Sequence, residues 1–282
     1  KDKVSIIIPS DNYKNIKRSI EGILSNTSYP NFEIIVVCNS LIAEEVAKEY
    51  IYLENVYFSK YDKLHNFSDK CNQGAASADG EFLIFYNDDV YPIAGDWLDH
   101  LVDYLHIEGV GGVSPKLIYE NQTIQYAGMI SGTPGLAGTA YNGLHKDYLD
   151  GFLSMHYWVR NVSILSGACL AIRKKIFVEL EGFNAIETPD RHSDFDISYK
   201  ILEANLRCVY NPRSLLTHIG NHSWNGQSAK TKADIYCLKR WGKYLSADPY
   251  FTDSMKRVLY GDFPYYYKIF PALIKNEKYK DL

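Results

Sequence analysis

The sequence lacks the cysteine patterns, the long apolar runs and the basic excess that mark several classes of protein. Its five cysteines are scattered and odd in number, and no two form a Cys-x-x-Cys pair. A disulfide framework and a zinc site are therefore disfavoured, and we expect reduced cysteines packed in a cytosolic protein. No apolar run approaches the ~20 residues that a membrane-spanning helix needs. The net charge of −4 provides no basic field for nucleic acid.

Three motifs of nucleotide-binding proteins and hydrolases are also absent. No Gly-x-Gly-x-x-Gly follows the first apolar strand, and no Walker Gly-Lys-Ser/Thr loop occurs. Ser166 lies in Ser-Gly-Ala and not in Gly-x-Ser-x-Gly, so the nucleophile elbow of a serine hydrolase is missing. Dinucleotide redox chemistry, P-loop hydrolysis and serine hydrolysis thus lack sequence support.

The first half of the chain alternates short apolar runs with segments of helical period. Strands are predicted over Val4–Pro9, Phe32–Val37, Val56–Phe58 and Glu81–Tyr86, and helices over Lys14–Leu24, Leu41–Tyr50 and Phe67–Ala78. Apolar strands that alternate with helices indicate a parallel sheet covered on both faces. Ligands of such sheets bind at the carboxyl ends of the strands. Four segments should lie at that edge: Pro9–Asn12, Cys38–Ser40, the helix around Asn72, and Asn87–Asp89.

The second half is less regular. Strands are predicted over Gly109–Tyr119, Thr123–Ile130, Arg207–Tyr210 and Leu215–His218. An apolar segment of small residues covers Ile164–Ile172. One helix is predicted to run through Leu180, and two others are predicted over Asp194–Ala204 and Ala233–Tyr244. The polar stretch Gly220–Lys230 predicts a loop, which could close over a ligand.

Asp88 and Asp89 follow a buried strand directly. Two carboxylates at a strand end make a hard-oxygen site for Mg²⁺ or Mn²⁺, which could bridge a diphosphate. The alternative is an ordinary acidic turn that caps the helix beginning near Asp96.

Two further residues, Asp194 and His218, have both a chemical and a structural interpretation. Asp194 could act as a general base towards a hydroxyl, or it could cap a helix with Asp196 in the first turn. His218 could complete a metal site beside carboxylates, or it could be an ordinary structural histidine.

Several segments, in order from about Val4 to Phe251, resemble glycosyltransferase family 2, the inverting enzymes of the GT-A fold. They are VSIIIPSDN, NFEIIVVCNS, DKCNQGAASADGEFLIFYNDDV, SGACLAIRKKIFVELEGFN, SDFDISYKI, LLTHIGNHS and KRWGKYLSADPYF. The resemblance implies an α/β fold with a Rossmann-like, mixed but mostly parallel sheet flanked by helices, and a C-terminal helical extension.

The resemblance also implies a role for each matching residue. Donor-nucleotide contacts are expected at Pro9, Ser10, Asn12, Cys38, Asn72, Gly74, Asn87 and Asp88, metal ligands at Asp89 and His218, the general base at Asp194, acceptor-side contacts at Trp158, Ser166, Gly167 and Asp196, and a loop or phosphate contact at His222. Trp158 could stack on a sugar face or pack in the core.

This sequence departs from the family pattern at three positions. Cys38 stands where the family usually has an aspartate, Asn87 replaces the first acid of the Asp-x-Asp motif, and Ser193 replaces the glutamate before the catalytic aspartate. The loss of the acid at Cys38 removes the contact from which the family pattern would imply the donor base. The departures leave Asp89 and Asp194 in place, so the resemblance still implies the reaction class.

We predict an inverting, Mn²⁺- or Mg²⁺-dependent glycosyltransferase that uses a UDP-sugar or dTDP-sugar and a hydroxyl of a glycan, lipid-linked glycan or glycosylated protein. The GT-A domain should span residues 1–232, with a nucleotide half to about 107 and an acceptor half from about 108, followed by a helical tail over 233–282. The chain starts abruptly in a strand, which suggests one domain of a longer protein. We expect a cytoplasmic location, either in solution or at the inner face of the membrane. The alternatives are a catalytically weak nucleotide-sugar-binding module and a metal-dependent nucleotide-sugar hydrolase or nucleotidyltransferase.

Overall fold

The computed structural model of the chain describes residues 1–133, 136–149, 154–220 and 232–260. The strands in this part are β1 (Val4–Pro9), β2 (Phe32–Cys38), β3 (Val56–Lys60), β4 (Phe82–Tyr86), β5 (Val90–Pro92), β6 (Val110–Ile118), β7 (Ile124–Tyr126), β8 (Met129–Ser131), β9 (Ala137–Thr139), β10 (Arg160–Val162), β11 (Cys169–Arg173) and β12 (Arg207–His218). The helices are α1 (Tyr13–Ser25), α2 (Ser40–Tyr50), α3 (Phe67–Ser77), α4 (Trp97–Leu105), α5 (Lys174–Glu179), α6 (Ser193–Glu203), α7 (Lys232–Ser246) and α8 (Asp253–Tyr260), and a 3₁₀ helix spans Ser154–Tyr157.

One large sheet organises the molecule. Its strands lie in the order β10, β12, β6, β11, β4, β1, β2 and β3, with β5 added on β12 and β7 on β6. Strands β4, β1, β2 and β3 run parallel to one another, and β6 is parallel to β12. Strand β11 lies between β4 and β6 and is antiparallel to both. The prediction of an α/β fold with a mixed, mostly parallel sheet is confirmed.

Because of this strand order, several turns and strand ends lie at one edge of the sheet. Two antiparallel steps through β11 restore the strand direction, so β1, β4, β6 and β12 all run the same way. Their carboxyl ends therefore lie along the same edge, and the amino end of β11 lies there with them. That edge collects the turns that follow β1 and β4, the start of β11 and the end of β12.

The elements of the first half form where local pattern and burial agree. Strands β1 and β4 are almost wholly buried, as expected for apolar strands covered on both sides. Helix α1 buries Ile16, Ile20 and Ile23, which recur at helical spacing on one face. Its first turn is closed by the side chain of Asn12, which accepts a hydrogen bond from the backbone N–H of Asn15 at 3.1 Å.

Three predicted elements differ in the structure. The strand predicted over Thr123–Ile130 is interrupted and forms β7 and β8, because Gly128 between them has a φ of +90°. Of the apolar segment Ile164–Ile172, only the part from Cys169 is strand. The two short strands predicted between Arg207 and His218 are one strand, β12, with an irregularity between Asn211 and Leu215.

The described part of the C-terminal tail packs on the second half of the domain. Helix α7 buries Cys237 and Trp241 against Tyr199 of α6, with Ile164 in the same apolar cluster. The predicted tail continues over residues 261–282, which lie outside the described residues. All five cysteines are buried and free, as predicted. Among the described helices, none combines the length and the apolar character that crossing a bilayer requires.

Candidate active site

The turn after β4 is held against the end of β1. The hydroxyl of Ser10 donates a hydrogen bond to a carboxylate oxygen of Asp88, and Ser19 of α1 donates to the backbone oxygen of Asp88 at 2.8 Å. The backbone N–H of Asn87 donates to the backbone oxygen of Ala168 at 2.9 Å. These contacts fix the turn to β1, α1 and the start of β11. The turn does not cap α4, which begins only at Trp97 after strand β5.

Asp89 and His218 face each other across the pairing of β5 with β12. In that ladder Val90 lies opposite His218. The Nε2 atom of His218 is 3.1 Å from Oδ1 of Asp89, and the backbone N–H of Gly220 donates to Oδ2 at 3.1 Å. The predicted metal ligands are therefore neighbours, although 129 residues separate them (218 − 89).

Gln125 of β7 orients the imidazole of His218. Its amide nitrogen donates to the backbone oxygen of His218 at 3.4 Å, which places the amide oxygen against Nδ1. Because an amide oxygen only accepts, Nδ1 carries a proton in this arrangement, and Nε2 is directed at Asp89. A second hydrogen bond of this kind commonly orients metal-binding histidines.

The pKa values of the two acids in this turn, Asp88 and Asp89, are shifted in opposite directions. Burial raises the pKa of Asp88, and the nearby charge of Asp89 raises it further, while the hydrogen bond from Ser10 compensates only in part. Burial also tends to raise the pKa of Asp89, but the hydrogen bond and charge of His218 and the N–H of Gly220 outweigh it and leave this pKa lowered. Asp89 is therefore the stronger acid and the better anionic ligand for a cation.

Asp89 and His218 alone supply only part of the ligands that a divalent cation needs. One carboxylate and one imidazole are ligands that Mn²⁺ accepts. Within the described residues, no third His, Cys, Asp or Glu completes a cluster with them. Further ligands would have to come from a bound substrate, and a diphosphate offers oxygen ligands of the right kind.

Cys38 is fully buried at the end of β2, where burial raises the pKa of its thiol to about 11. A neutral thiol cannot supply the charge of the aspartate that the family usually has here. Asp11 lies close by and accepts a hydrogen bond from the backbone N–H of Asn39 at 2.7 Å. The ammonium of Lys70, itself buried, lies 2.5 Å from the other oxygen of Asp11. The charged groups that act on Cys38 are thus Asp11, Lys70 and Asp62.

The other residues predicted at the donor have structural contacts. Asn12 caps α1, and Pro9 is the last residue of β1. The side-chain amide of Asn72 donates to the backbone oxygen of Phe183 at 2.8 Å and accepts from its N–H at 2.9 Å. A Cβ on Gly74 would lie 2.4 Å from Cγ2 of Ile7, so this glycine lets α3 pack directly on β1. These contacts leave the predicted donor roles as predictions and show that Asn72 and Gly74 also shape the fold.

Asp194 lies in the first turn of α6 and faces the start of β11. Its Oδ2 accepts a hydrogen bond from the N–H of Gly167 at 3.3 Å, and Oδ1 accepts one from the N–H of Phe195 at 3.0 Å. Burial raises the pKa of this carboxyl, and the neighbouring His192 lowers it only in part. The N-cap of α6 is His192 and not Asp194. A carboxylate that is held in place with a raised pKa is suited to accept a proton.

Gly167 couples Asp194 to the acidic turn. A Cβ on this residue would lie 3.2 Å from Cβ of Asp194, so a side chain here would crowd the carboxylate. The next residue, Ala168, accepts the hydrogen bond from Asn87. Three consecutive residues, Ser166 to Ala168, therefore connect the two predicted chemical centres. Ser166 shapes this segment, since its N–H donates to the hydroxyl of Ser114 at 3.1 Å and its own hydroxyl accepts from the N–H of Ala168 at 3.3 Å.

The other two residues predicted on the acceptor side, Trp158 and Asp196, differ in their exposure to solvent. Trp158 follows the 3₁₀ helix and is 58% exposed, so it does not pack in the core and its ring is open to a ligand. Asp196 is fully buried. Its carboxylate accepts hydrogen bonds from Tyr236 at 2.8 Å and Trp241 at 2.9 Å, both on α7, and lies 3.1 Å from the ammonium of Lys200. The predicted acceptor contact at Asp196 is not supported by this geometry, because the carboxylate is directed into the protein.

Sequence reasoning missed Gln125 and Lys70. Gln125 carries no signal, because it reaches His218 only through the pairing of β7 with β6 and of β6 with β12. Lys70 carries little signal in the sequence, because α3 also contains the charged Asp69 and the polar Asn72 and Gln73. His222 and the rest of the predicted closing loop, from 221 to 230, lie outside the described residues.

Comparison with known proteins agrees with this geometry. The sequence model of the family described as Glycosyl transferase family 2 matches residues 5–180, which is more than half of the chain. The chain belongs to glycosyl transferase family 2. The family resemblance found in the sequence motifs is confirmed.

Two curated relatives of this family 2 chain are bacterial. It is 32% identical over 266 residues to the uncharacterized protein y4gI of Sinorhizobium fredii, which covers 89% of this chain and 29% of that protein. It is 29% identical over 253 residues to the O-antigen biosynthesis protein RfbC of Myxococcus xanthus, which covers 88% of this chain and 19% of that protein. The chain thus spans less than a third of the length of these relatives.

Two solved structures share the fold of this family 2 chain. GalNAc-T7, solved with UDP, GalNAc and Mn²⁺, superposes with a TM-score of 0.69 at 16% identity, over 92% of this chain and 54% of that one. The mannosyltransferase PcManGT of Pyrobaculum calidifontis, solved with GDP-Man and Mn²⁺, has a TM-score of 0.60 at 17% identity, over 93% of this chain and 69% of that one. At these identities the likeness shows the fold, which is that of the GT-A glycosyltransferases.

Proposed function

We propose that this chain is an inverting glycosyltransferase domain. It transfers a sugar from a nucleoside-diphosphate donor, UDP-sugar or dTDP-sugar, to a hydroxyl of a glycan or glycoconjugate. The observation that carries the proposal is the placement of Asp89 with His218, and of Asp194, at one edge of the sheet, linked through Ala168 and Gly167. Family membership supports the reaction class.

Asp89 and His218 would hold a divalent cation, Mn²⁺ or Mg²⁺, together with the donor diphosphate. Such a cation neutralises negative charge on the leaving nucleotide. The metal-containing complexes of the two structural relatives support this assignment. Ser10, Asn87 and Asp88 would border the ribose and the diphosphate.

Asp194 would accept the proton of the acceptor hydroxyl. The hydroxyl oxygen then forms a bond to the anomeric carbon, while the bond from that carbon to the diphosphate oxygen breaks and the nucleoside diphosphate leaves. The hydrogen bond from Gly167 holds the carboxylate in position through the proton transfer. A single displacement of this kind inverts the anomeric configuration.

One exposed aromatic residue and one relative support a proposal for the acceptor class. The exposed ring of Trp158 is suited to stack on a sugar face. The similarity to an O-antigen biosynthesis protein favours a saccharide acceptor, which could be a free glycan, a lipid-linked glycan or a glycosylated protein.

A donor panel tests this proposal. Thermal unfolding is measured with UDP-sugars, dTDP-sugars and GDP-mannose, each with and without Mn²⁺, because a ligand that binds only the folded state raises its midpoint. We expect one nucleotide class to raise the midpoint only with the metal, and the same donor to be transferred with inversion, read by NMR of the product. Binding without transfer to any acceptor would instead indicate a binding module, and release of the nucleoside diphosphate without an acceptor would indicate a hydrolase.

A further inference from the structure

A cavity lies beside β6 and β12, away from the residues assigned above. Its volume is about 250 Å³, and its lining includes Lys116, Lys146, Asp147, Tyr157, Arg213 and Leu215. We call it the Lys116 pocket. It is smaller than the roughly 300–1,000 Å³ of sites for drug-sized ligands, so it suits a small group such as one sugar residue or a phosphate.

Lys116 is only 4% exposed, and its ammonium makes no ion pair within 4 Å among the described residues, although the charge of Asp147 acts on it from further away. Its ammonium donates to the backbone oxygen of Lys146 at 2.9 Å and lies 4.9 Å from the centre of the Tyr157 ring. An ammonium has three N–H donors, and these contacts satisfy them only in part. Burial lowers the pKa of Lys116 to about 8, and the charge of Asp147 offsets this effect only in part.

The charges of the lining favour an anion. Three cationic residues, Lys116, Lys146 and Arg213, stand against one acid, Asp147. That acid is already paired with Lys146 at 2.7 Å. The exposed Arg213 side chain forms no ion pair with the described residues and can reach a ligand at the mouth of the pocket. A bound carboxylate or phosphate would therefore meet Lys116 and Arg213 without displacing an existing partner.

The pocket is also built to hold a flat, partly apolar ligand. Tyr157 is 40% exposed, so one part of its ring is open at the pocket. Leu215 and Pro212 add apolar surface. A sugar ring has apolar C–H faces and polar edges, and this combination of surfaces matches it.

The pocket is separate from the Asp89–His218 pair. Lys116 lies opposite Leu215 in the pairing of β6 with β12, so both side chains are directed to the same face of the sheet. His218 is three residues beyond Leu215, which places it about 10 Å further along and on the opposite face. Tyr157 of the pocket directly precedes the exposed Trp158.

We propose that the Lys116 pocket binds an anionic saccharide, held by its carboxylate or phosphate between Lys116 and Arg213 and by its ring on Tyr157. The saccharide part of this assignment rests on the proposed glycosyltransferase function, and the anion part rests on the pocket alone. The ligand is a uronic acid if the anion is a carboxylate and a sugar phosphate if it is a phosphate.

Direct binding measurements test the proposal without any transfer assay. Glucuronic acid, glucose 6-phosphate, inorganic phosphate and neutral glucose are titrated into the full chain by calorimetry. We expect binding by one or both anionic sugars, and weaker binding by phosphate and by glucose. A response to only one anionic sugar identifies the anion. Glucose that binds as well as both anionic sugars, or no binding by either anionic sugar, overturns the proposal.

Two variants locate the binding. Lys116→Met keeps the length of the side chain and removes the charge, and Arg213→Gln alters an exposed residue that the fold does not need. Each should weaken the binding of the anionic sugar by about tenfold or more, while the exposed control Lys175→Met leaves it unchanged. Because burying an ammonium without a contacting counter-ion is costly, Lys116→Met should also have an equal or higher thermal midpoint. Unchanged binding in Arg213→Gln and Lys116→Met sinks the proposal, and if Lys116→Met does not fold, Arg213→Gln alone decides.

The donor panel on the unaltered chain keeps the two proposals apart. If no nucleotide sugar stabilises the chain and anionic sugars still bind, the glycosyltransferase proposal fails and the pocket stands. If donors bind and anionic sugars do not, only the pocket proposal fails.

Discussion

The imidazole of His218 lies between Asp89 and Gln125, with its Nε2 atom 3.1 Å from Oδ1 of Asp89 and its Nδ1 atom hydrogen-bonded to the amide oxygen of Gln125. The carboxylate comes from the turn before β5 and the amide comes from β7. They meet at the end of β12. This arrangement makes Gln125 a positioning residue for the proposed metal site. It gives the first prediction.

Substitution Gln125→Ala should weaken Mn²⁺ binding by about 10- to 100-fold, because the ring of His218 loses the contact that orients it. Calorimetric titration of Mn²⁺ in the presence of the preferred nucleotide measures the affinity. Gln73→Ala removes the same type of side chain from α3, where it contacts Ser59 and the backbone of Lys60 and not His218, and serves as the control. Equal Mn²⁺ affinity in Gln125→Ala and the unaltered chain would show that His218 needs no support or is not a ligand.

The raised pKa of Asp194 predicts the acidic side of the pH profile. A general base works only when ionised, so kcat/KM should fall on acidification, with an apparent pKa above the ordinary aspartate value of 3.8. Asp194→Asn should abolish transfer and retain donor binding in the thermal assay. Because burial disfavours the ionised form, this variant should have an equal or higher midpoint at neutral pH. Full turnover in Asp194→Asn would refute the base assignment.

Gly167→Ala should reduce kcat by about tenfold or more. Its new Cβ would lie 3.2 Å from Cβ of Asp194 and shift the carboxylate, and small displacements of a reacting group cost large factors in rate. Donor affinity should change little. Gly95→Ala is the matched control, since its Cβ would meet Ser28 only at ordinary contact distance, 3.6 Å. A normal kcat in Gly167→Ala would show that the carboxylate tolerates the shift or does not take part in catalysis.

Asp196→Ala tests whether this acid is structural. The substitution leaves Trp241, Tyr236 and Lys200 without their shared carboxylate, and breaking a buried ion pair from one side should lower the free energy of unfolding by about 3 kcal/mol. Urea unfolding measures the loss, with Asp194→Asn as the comparison two residues away. An unchanged stability together with a raised acceptor KM would instead restore the acceptor contact predicted from the sequence.

The sequence by itself determined the first half of the fold. Apolar runs such as Val4–Pro9 and Phe82–Tyr86 are strands in the structure, and the helical spacing of Ile16, Ile20 and Ile23 marks the buried face of α1. These patterns are local consequences of burial, so they can be identified without knowing the partners. The motifs also put Asp89 and His218 at the same edge of the sheet, because each ends or follows a strand whose carboxyl end lies there. The structure brings the two side chains within 3.1 Å of each other, and their role as metal ligands stays a prediction.

Only the tertiary structure decided which side chains meet. Gln125 reaches His218 across 93 residues through two strand pairings. Asp194 and Asp196 look equivalent in the sequence, yet the turn of the helix directs one to Gly167 and buries the other against α7. In the sequence Lys116 looks like an ordinary strand residue, and only the pairing of β6 with β12 shows that it is enclosed. Contacts of this kind depend on strand order and on helix rotation, neither of which is encoded within a short segment.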